Sequence, residues 1–162
     1  MTLGASPYAM REHPFSISSG PVASGLLEFT IKELGDFTAT IGTIRSGETA
    51  YVDGPYGAFS IDRHDAPGYV FIGGGIGIAP LMGMLRALAD RGDRRPLVLF
   101  YAYRRLERMT FREAIEDLQG RINLRVVYVL IEPPEGWTGE TGNIGPDMLD
   151  RHLPADRRAL HY

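Results

Sequence analysis

Residues 73–80 carry the clearest chemistry in the chain. They read Gly-Gly-Gly-Ile-Gly-Ile-Ala-Pro and follow the apolar run at 69–72. A strand that ends there, followed by a helix, would leave bare backbone N–H groups and a helix N-terminus at one corner, which is a pyrophosphate-binding arrangement. The alternative is a tight strand-to-helix corner that holds no ligand.

The spacing of this segment narrows the choice of ligand. A G-x-G-x-x-G motif counted from Gly75 would need glycine at position 80, where Pro80 stands. Proline suits the first turn of a helix, because the N–H that it lacks has no partner there anyway. No Gly-Lys-Ser/Thr follows, which argues against a nucleoside triphosphate loop.

A pair of arginines follows the next apolar run. Arg104 and Arg105 come directly after residues 96–103, where an NAD site usually places an acid for the ribose 2'-hydroxyl. A guanidinium suits a 2'-phosphate instead. Together with the glycine segment, the pair favours NADPH over NADH as the cofactor.

The elements around these residues divide the chain into two regions, 1–65 and 66–162. In the first, short alternating runs at 14–18, 26–34 and 49–54 predict β-strands. The stretch 36–44 has its apolar residues at helical spacing and predicts a short helix. This region is therefore predicted to be part of an antiparallel β-barrel.

The second region alternates strands and helices. Apolar runs such as 98–101 are typical of strands buried on both faces of a parallel sheet. The fold class predicted is α/β: a partial barrel followed by a doubly wound parallel-sheet domain. The predicted strands are 69–74, 96–103, 122–130 and 158–162, and the predicted helices are 78–90, 110–119 and 145–152.

Composition excludes several functions. The chain has 162 residues, a formal charge of -3 and no cysteine. Without cysteine there is no thiolate metal site or iron-sulfur cluster within the chain, and no metal site is predicted. Mixed charge without a basic stripe argues against nucleic acid as a partner. No apolar run reaches the roughly 20 residues of a spanning helix, so a cytoplasmic location is expected.

Six motifs in order resemble the ferredoxin-NADP reductase superfamily, with the dehydrogenase domains of NADPH oxidases and ferric reductases as the nearest look-alikes. The likeness covers nearly the whole chain. It implies that the first barrel strands and a C-terminal Cys-Gly-Pro segment lie outside this chain. The motifs are HPFSISS (13–19), GDFT (35–38), GPYG (54–57), GGGIGIAP (73–80), YAYRRLERMTFREAIEDL (101–118) and WTGETGNI (137–144).

The resemblance implies an FAD site in the first region. Phe15, after Pro14, would lie against the flavin ring, Ser16 would face flavin N5 as the catalytic hydroxyl, and His13 would replace an arginine that pairs with the pyrophosphate. In GDFT, the helix start would lie at the FAD diphosphate, with Asp36 capping the helix and pointing away. The residues implied there are Gly35, Phe37 and Thr38.

In the second region, the resemblance implies a nicotinamide nucleotide on Gly75, Gly77, Ile78 and Pro80, with its 2'-phosphate on Arg104 and Arg105 as a helper. The implied activity is hydride transfer from NADPH to FAD, then single electrons to a haem domain, ferric iron or a ferredoxin-like protein. Fusion to a membrane domain outside this segment is a further expectation.

Two alternatives stay open. The chain could be a regulatory module that binds NAD(P)H without turnover, because the glycine loop is complete beside an incomplete flavin site. It could also be an inactive truncated product. The residues 132–144 include the single tryptophan of the chain and are interpreted as a surface loop in which Trp137 covers the sheet edge.

Overall fold

A computed structural model describes residues 2–3, 12–20, 25–157 and 160–161. Arg158, Ala159 and Tyr162, which belong to the last predicted strand, lie outside the described residues. The elements in chain order are β1 (Thr2–Leu3), α1 (Asp36–Ile41), β2 (Ala50–Tyr51), β3 (Gly68–Gly74), α2 (Ile78–Asp90), β4 (Leu97–Tyr103), α3 (Arg112–Arg121), β5 (Leu124–Leu130), β6 (Glu140–Thr141), α4 (Pro146–His152) and β7 (Leu160–His161).

The first region contains less strand than its alternating pattern predicts. β1 and β2 pair antiparallel, and Ile17 forms a single antiparallel bridge with Phe29. The runs 14–18 and 26–34 are otherwise without strand pairing in the part of the chain that the structure describes. A strand needs a hydrogen-bonded partner along its length, and an alternating pattern does not supply one. Helix α1 ends at Ile41 instead of residue 44.

The second region is the predicted parallel sheet, with strand order β6-β5-β4-β3-β7. Tyr69 of β3 and Leu124 of β5 both lie opposite Leu97 of β4, so the three long strands start level with one another. Strand β7 pairs parallel with β3. The fold class is thus α/β with a parallel sheet, as predicted, whereas the domain boundary after residue 65 stays a prediction.

Helices cover both faces of this sheet, so the domain is doubly wound. On one face, α2 and α3 pack over Phe71, Leu99 and Tyr101. On the other, α4 packs over alternate residues of the same strands, as the two-residue strand period requires. The side chains of that second cluster are Val70, Phe100, Val127, Val129, Met148 and Leu153.

The path of the chain reverses beside β3. Strands β3 to β6 are laid down in one direction, and α4 then returns the chain to β7 on the other side of β3. Open α/β sheets bind their ligands at the carboxyl ends of the strands beside such a reversal. The glycine segment follows β3 and therefore occupies this position.

The edge of the sheet distal to β7 contains a strand within the predicted surface loop. Glu140 and Thr141 form β6, which pairs parallel with β5. Trp137 packs against the main core cluster, and its Nε1 donates a hydrogen bond to the Glu140 carbonyl oxygen at 3.1 Å. The predicted cover of the sheet edge by Trp137 thus comes with an edge strand that the sequence pattern did not predict.

The Glu140 carboxylate joins this edge to α4. It accepts hydrogen bonds from Arg151 at 2.6 Å and from the His152 ring at 2.7 Å. These contacts, Arg151 first, lower the pKa of Glu140 from 4.5 to about 2. The folded protein therefore holds this proton less tightly than the unfolded chain does.

We expect Glu140→Gln to lower the free energy of unfolding at pH 7 by about 1 kcal/mol, the upper end for exposed ion pairs. The wild-type advantage is present above about pH 4.5 and disappears as the pH falls toward about 2. Urea unfolding at several pH values measures it. Glu33→Gln is the matched control, because Glu33 is exposed and forms no ion pair within the described ranges. Equal acid dependence of the two variants would contradict the assignment.

Candidate functional site

The site begins where β3 becomes α2. Gly75–Gly77 form one 3-10 turn between the strand and the helix. The backbone is extended at Gly74 and helical at Gly77, with φ of -130 and -60 respectively. The turn therefore presents N–H groups beyond the carboxyl end of β3.

Different physical constraints apply at the glycine positions of this corner. At Gly73 a Cβ atom would lie 2.8 Å from Leu81 Cδ1, so a side chain there would require the buried Leu81 side chain to shift. Gly75 has φ +52, which favours glycine by conformation. Gly77 has neither constraint, because its φ is ordinary and no atom lies within 4 Å of a Cβ built there. The space beside Gly77 is open, so a ligand can approach the backbone there.

The two other predicted residues of this corner serve the helix. Pro80 lies in the first turn of α2, as its residue type predicts. The Ile78 side chain is fully buried in the main core, and its N–H bonds to the carbonyl oxygens of Gly75 and Ile76. The placement gives Ile78 a packing role, and its predicted contact with a nucleotide has no exposed group to make it.

A cleft of about 550 Å³ opens beside the glycine corner. Its walls come from the carboxyl ends of β3, β4 and β5, and Lys32 reaches it from the first region. Four cationic side chains therefore face one space, which suits an anionic ligand. The lining residues are Lys32, Gly74, Gly75, Ala102, Tyr103, Arg104, Arg105, Arg108 and Ile131.

The two predicted phosphate ligands, Arg104 and Arg105, are already joined by a carboxylate. Glu132 accepts Arg104 Nε at 2.6 Å on one oxygen and Arg105 Nε at 2.5 Å on the other. The arginine side chains remain 72% and 60% exposed, so their outer nitrogens face the solvent of the cleft. Glu132 thereby holds two guanidinium groups side by side.

The position of Glu132 follows from the sheet. Its N–H donates to the Arg104 carbonyl oxygen at 2.8 Å, which extends the β4–β5 ladder past the end of both strands. The two arginines, Arg105 first, lower the pKa of the Glu132 carboxyl group. Sequence reasoning missed this residue, although an acid directly after a buried parallel strand was a usable signal.

Three rings gather around the first predicted cofactor motif. The His13 ring stacks on Phe37 with centroids 3.5 Å apart, and Phe15 lies 6.1 Å from the same ring. Pro14 and Ser16 are exposed, and Phe15 is half-buried. The structure therefore brings His13, Phe15 and Phe37 together and leaves the Ser16 hydroxyl accessible.

The GDFT turn is closed by its own threonine. Thr38 Oγ1 accepts the Gly35 N–H at 2.9 Å and donates to the Gly35 carbonyl oxygen at 2.9 Å. A phosphate contact at Thr38 would have to replace that donation. Asp36 does not cap α1, contrary to expectation, because Gly35 is the N-cap and the Thr38 side chain supplies the cap.

The two motif groups meet at α2. The Ile17 carbonyl oxygen lies against Gly83, close enough that a Cβ there would be 2.8 Å away. Ser16 is thus one residue from a contact with the helix whose N-terminus forms the glycine corner. The motif that contains Phe15 and Ser16 therefore contacts the helix that begins at the glycine corner.

The described residues contain neither a metal-binding cluster nor a membrane-spanning helix. No three histidine and acidic side chains among residues 12–20, 25–157 and 160–161 are grouped to hold a metal ion. Across the same ranges, no helix has both the length and the hydropathy to cross a bilayer.

Comparison with known proteins identifies relatives. The sequence model of the family described as "Oxidoreductase NAD-binding domain" matches residues 71–162, more than half of the chain. NADH-cytochrome b5 reductase 1 of Cryptococcus neoformans var. neoformans is 33% identical over 126 residues, which cover 76% of this chain and 43% of that protein. Phenol hydroxylase P5 protein of Acinetobacter pittii is 31% identical over 142 residues, 84% of this chain and 40% of that protein.

Comparison with solved structures also finds a cytochrome b5 reductase. The cytochrome b5 reductase domain of Ulva prolifera nitrate reductase superposes with a TM-score of 0.67 at 25% identity, covering 78% of this chain and 52% of that one. This chain spans less than half the length of the two curated relatives. Two of these three proteins are cytochrome b5 reductases by name and none is an NADPH oxidase or a ferric reductase, so the narrower likeness to those two groups lacks support. The chain belongs to the oxidoreductase NAD-binding domain family, within the ferredoxin-NADP reductase superfamily.

Proposed function

We propose that this chain is the nucleotide-binding part of a flavin-dependent oxidoreductase that oxidises NADPH and passes electrons to a protein acceptor. The observation that carries the proposal is the glycine corner at the carboxyl end of β3, where Gly75 lines a cleft that four cationic side chains share and the space beside Gly77 is open. Bare backbone, helix N-terminus and positive charge together suit a dinucleotide diphosphate.

The first region supports FAD as the second cofactor. An aromatic ring at Phe15, the exposed hydroxyl of Ser16 and open space at Gly35 are groups that fit a flavin and a diphosphate. When bound, FAD supplies hydride acceptance and one-electron release, which no protein side chain offers. His13 and Phe37 would hold the Phe15 ring in place through their stacking.

The protein's own residues would orient the two cofactors. Backbone N–H groups at Gly75 and Gly77 would hold the nucleotide diphosphate, and the Ser16 hydroxyl would donate a hydrogen bond where negative charge develops. No acid-base pair is required, because a hydride moves with its electron pair.

The choice of NADPH depends on Arg104 and Arg105. Glu132 aligns the two guanidinium groups, and their exposed nitrogens can receive a 2'-phosphate. One observation favours NADH instead: Glu132 is an acid at the edge where a ribose 2'-hydroxyl is usually bound. The Cryptococcus relative, NADH-cytochrome b5 reductase 1, carries NADH in its name.

A protein that carries haem is the acceptor that the names of these reductases favour. Ferric iron and a ferredoxin-like protein are the other acceptors. Whichever of the three is the acceptor, it would approach from the first region, because the nucleotide would fill the cleft of the second region.

The direct test is spectroscopic. The full-length protein, purified with FAD, is expected to be yellow and to lose its flavin absorbance when NADPH is added without oxygen. Nucleotide binding without flavin binding would favour the regulatory module, and binding of neither would refute the proposal. Reduction of cytochrome b5 compared with ferricyanide then identifies the kind of acceptor.

Coenzyme choice gives a second prediction. We expect Arg104→Gln to weaken NADPH binding about tenfold, since a hydrogen bond between charged groups contributes roughly 1.5 kcal/mol, and to change NADH binding less than twofold. Titration calorimetry with both nucleotides measures it. Arg94→Gln is the control, because Arg94 is an exposed arginine before the amino end of β4, at the opposite end of that strand from Arg104. Equal loss for NADH and NADPH would contradict the phosphate assignment and favour ribose recognition by Glu132.

A further inference from the structure

Helix α2 contacts residues 17–20 along a face that belongs neither to the glycine corner nor to the cleft. A Cβ atom at Gly83 would lie 2.8 Å from the Ile17 carbonyl oxygen and 3.1 Å from that of Ser19. Both obstacles are backbone atoms, which cannot turn aside as a flexible side chain can. Glycine within a helix is unfavourable relative to alanine, so its presence at 83 is explained by this close contact.

Arg86 lies one turn further along the same face. Its Nη1 atom donates to the Ser18 carbonyl oxygen at 2.8 Å and also forms an ion pair with Glu28. The guanidinium carbon lies 5.6 Å from the centroid of the Phe111 ring. The Arg86 side chain is only 26% exposed, so its charge is partly withdrawn from water and matched by three different partners.

Residues 17–20 are held from the other side as well. Ser18 is fully buried, and its N–H and hydroxyl both bond to the Glu28 carbonyl oxygen, at 2.8 and 3.1 Å. A Cβ at Gly20 would lie 3.1 Å from Arg86 Cβ, so this residue also lies directly against the helix. The segment therefore has little freedom to move relative to α2.

We propose that Arg86 is a positioning residue which, with Gly83, fixes the Ser16 hydroxyl relative to the glycine corner; the two are called the α2 clamp below. The inference rests on the proposed function. Ser16 directly precedes the clamped segment, and Gly77 precedes Gly83 by six residues, roughly 9 Å along the helix. Hydride transfer requires reacting atoms within about 3 to 3.5 Å, so a small displacement of one motif group from the other slows it strongly.

Arginine at position 86 can make contacts that lysine cannot. A guanidinium can donate to a carbonyl and a carboxylate at once while its flat face lies on an aromatic ring. A lysine ammonium offers the charge without the planar fork. Arg86→Lys should therefore retain the ion pair with Glu28 and lose the alignment of the Ser18 carbonyl.

The experiment compares Arg86→Gln, Arg86→Lys and Gly83→Ala in the full-length protein. Amide hydrogen exchange of residues 17–20 is expected to accelerate at least tenfold in Arg86→Gln and Gly83→Ala. The rate of flavin reduction at saturating NADPH should fall at least tenfold, with the Kd for NADPH within twofold of wild type. Arg86→Lys should lie between, and the control Arg121→Gln, which pairs with Asp90 and Asp117, should match wild type.

Several outcomes would overturn the inference. Unchanged exchange in Arg86→Gln would refute the clamp, and faster exchange with an unchanged reduction rate would refute its role in positioning. A Kd for NADPH that weakens as much as the rate would assign Arg86 to the nucleotide site instead. If the unsubstituted protein reduces no flavin, the proposed function fails and the positioning role with it, whereas exchange still decides whether the clamp exists. Arg86→Gln and Arg86→Lys introduce no clash, so they decide the question even if Gly83→Ala does not fold.

Discussion

The Gly77→Val substitution is expected to weaken NADPH binding at least 100-fold while changing the free energy of unfolding by no more than about 1 kcal/mol. Position 77 has ordinary helical φ, and no atom lies within 4 Å of an added Cβ, so the folded chain accommodates the side chain. A bound diphosphate does not, because the valine occupies the space through which it reaches the backbone N–H groups. Loss of two charge-assisted hydrogen bonds amounts to roughly 3 kcal/mol, or about 100-fold.

Titration calorimetry and urea unfolding measure the two quantities on the same protein. Gly120→Val is the matched control: Gly120 lies in α3, likewise has nothing within 4 Å of an added Cβ, and is outside the residues that line the cleft. It should bind NADPH as wild type does. If Gly77→Val also binds normally, the corner does not hold the nucleotide, and the cationic cleft must be assigned to another anion.

The parallel sheet was predictable because its long strands are buried on both faces. Strands covered on both faces read as unbroken apolar runs, and the run from Val98 to Tyr101 lies within β4. Punctuation by glycine, proline and charged residues then placed the ends of the long strands within two residues of those observed. The strand order, which reverses beside β3, was less predictable, because it depends on long-range pairing that no local pattern encodes.

The strands of the first region were predicted less well than those of the parallel sheet. Alternation predicted strands at 14–18 and 26–34, but only Ile17 and Phe29 form a bridge there. Alternation describes which side chains face a core, and pairing depends on neighbouring strands that the pattern does not mention. The stacking of His13 on Phe37 was likewise beyond prediction, since it joins residues from two separate motifs.

The candidate site was proposed from residues that break local rules. Three glycines in a row are costly unless the backbone is needed, and they lie at the corner, where a proline then suits the first turn of the helix. Glu132 and Arg86 obey local rules, so nothing in their immediate neighbours marks them. Each acts on residues 27 to 68 positions away, and Gly83, an isolated glycine in a helix, was the one local sign of the α2 contact.

The Ser16→Ala substitution is expected to lower the rate of flavin reduction by NADPH about 100-fold, the usual cost of removing one donor aimed at developing charge. The Ser16 side chain is exposed, and its hydroxyl has no hydrogen-bond partner among the described residues. It is therefore available to a ligand held beside Phe15. The Kd for NADPH should stay within twofold, because the Ser16 hydroxyl is proposed to act on the flavin and not on the nucleotide diphosphate. Stopped-flow absorbance gives the rate, and calorimetry gives the Kd.

Ser19→Ala separates a specific role from a general loosening of the segment. Ser19 is three residues away, and its hydroxyl accepts a long 3.3 Å bond from the Glu28 N–H, so its loss perturbs the same backbone without removing a donor from the site. Ser16→Thr keeps the hydroxyl and should recover most of the rate. If Ser16→Ala and Ser19→Ala slow the reaction equally, the effect comes from the position of residues 16–19 on α2. A full rate in Ser16→Ala would show that the hydroxyl does not act on the transferred hydride.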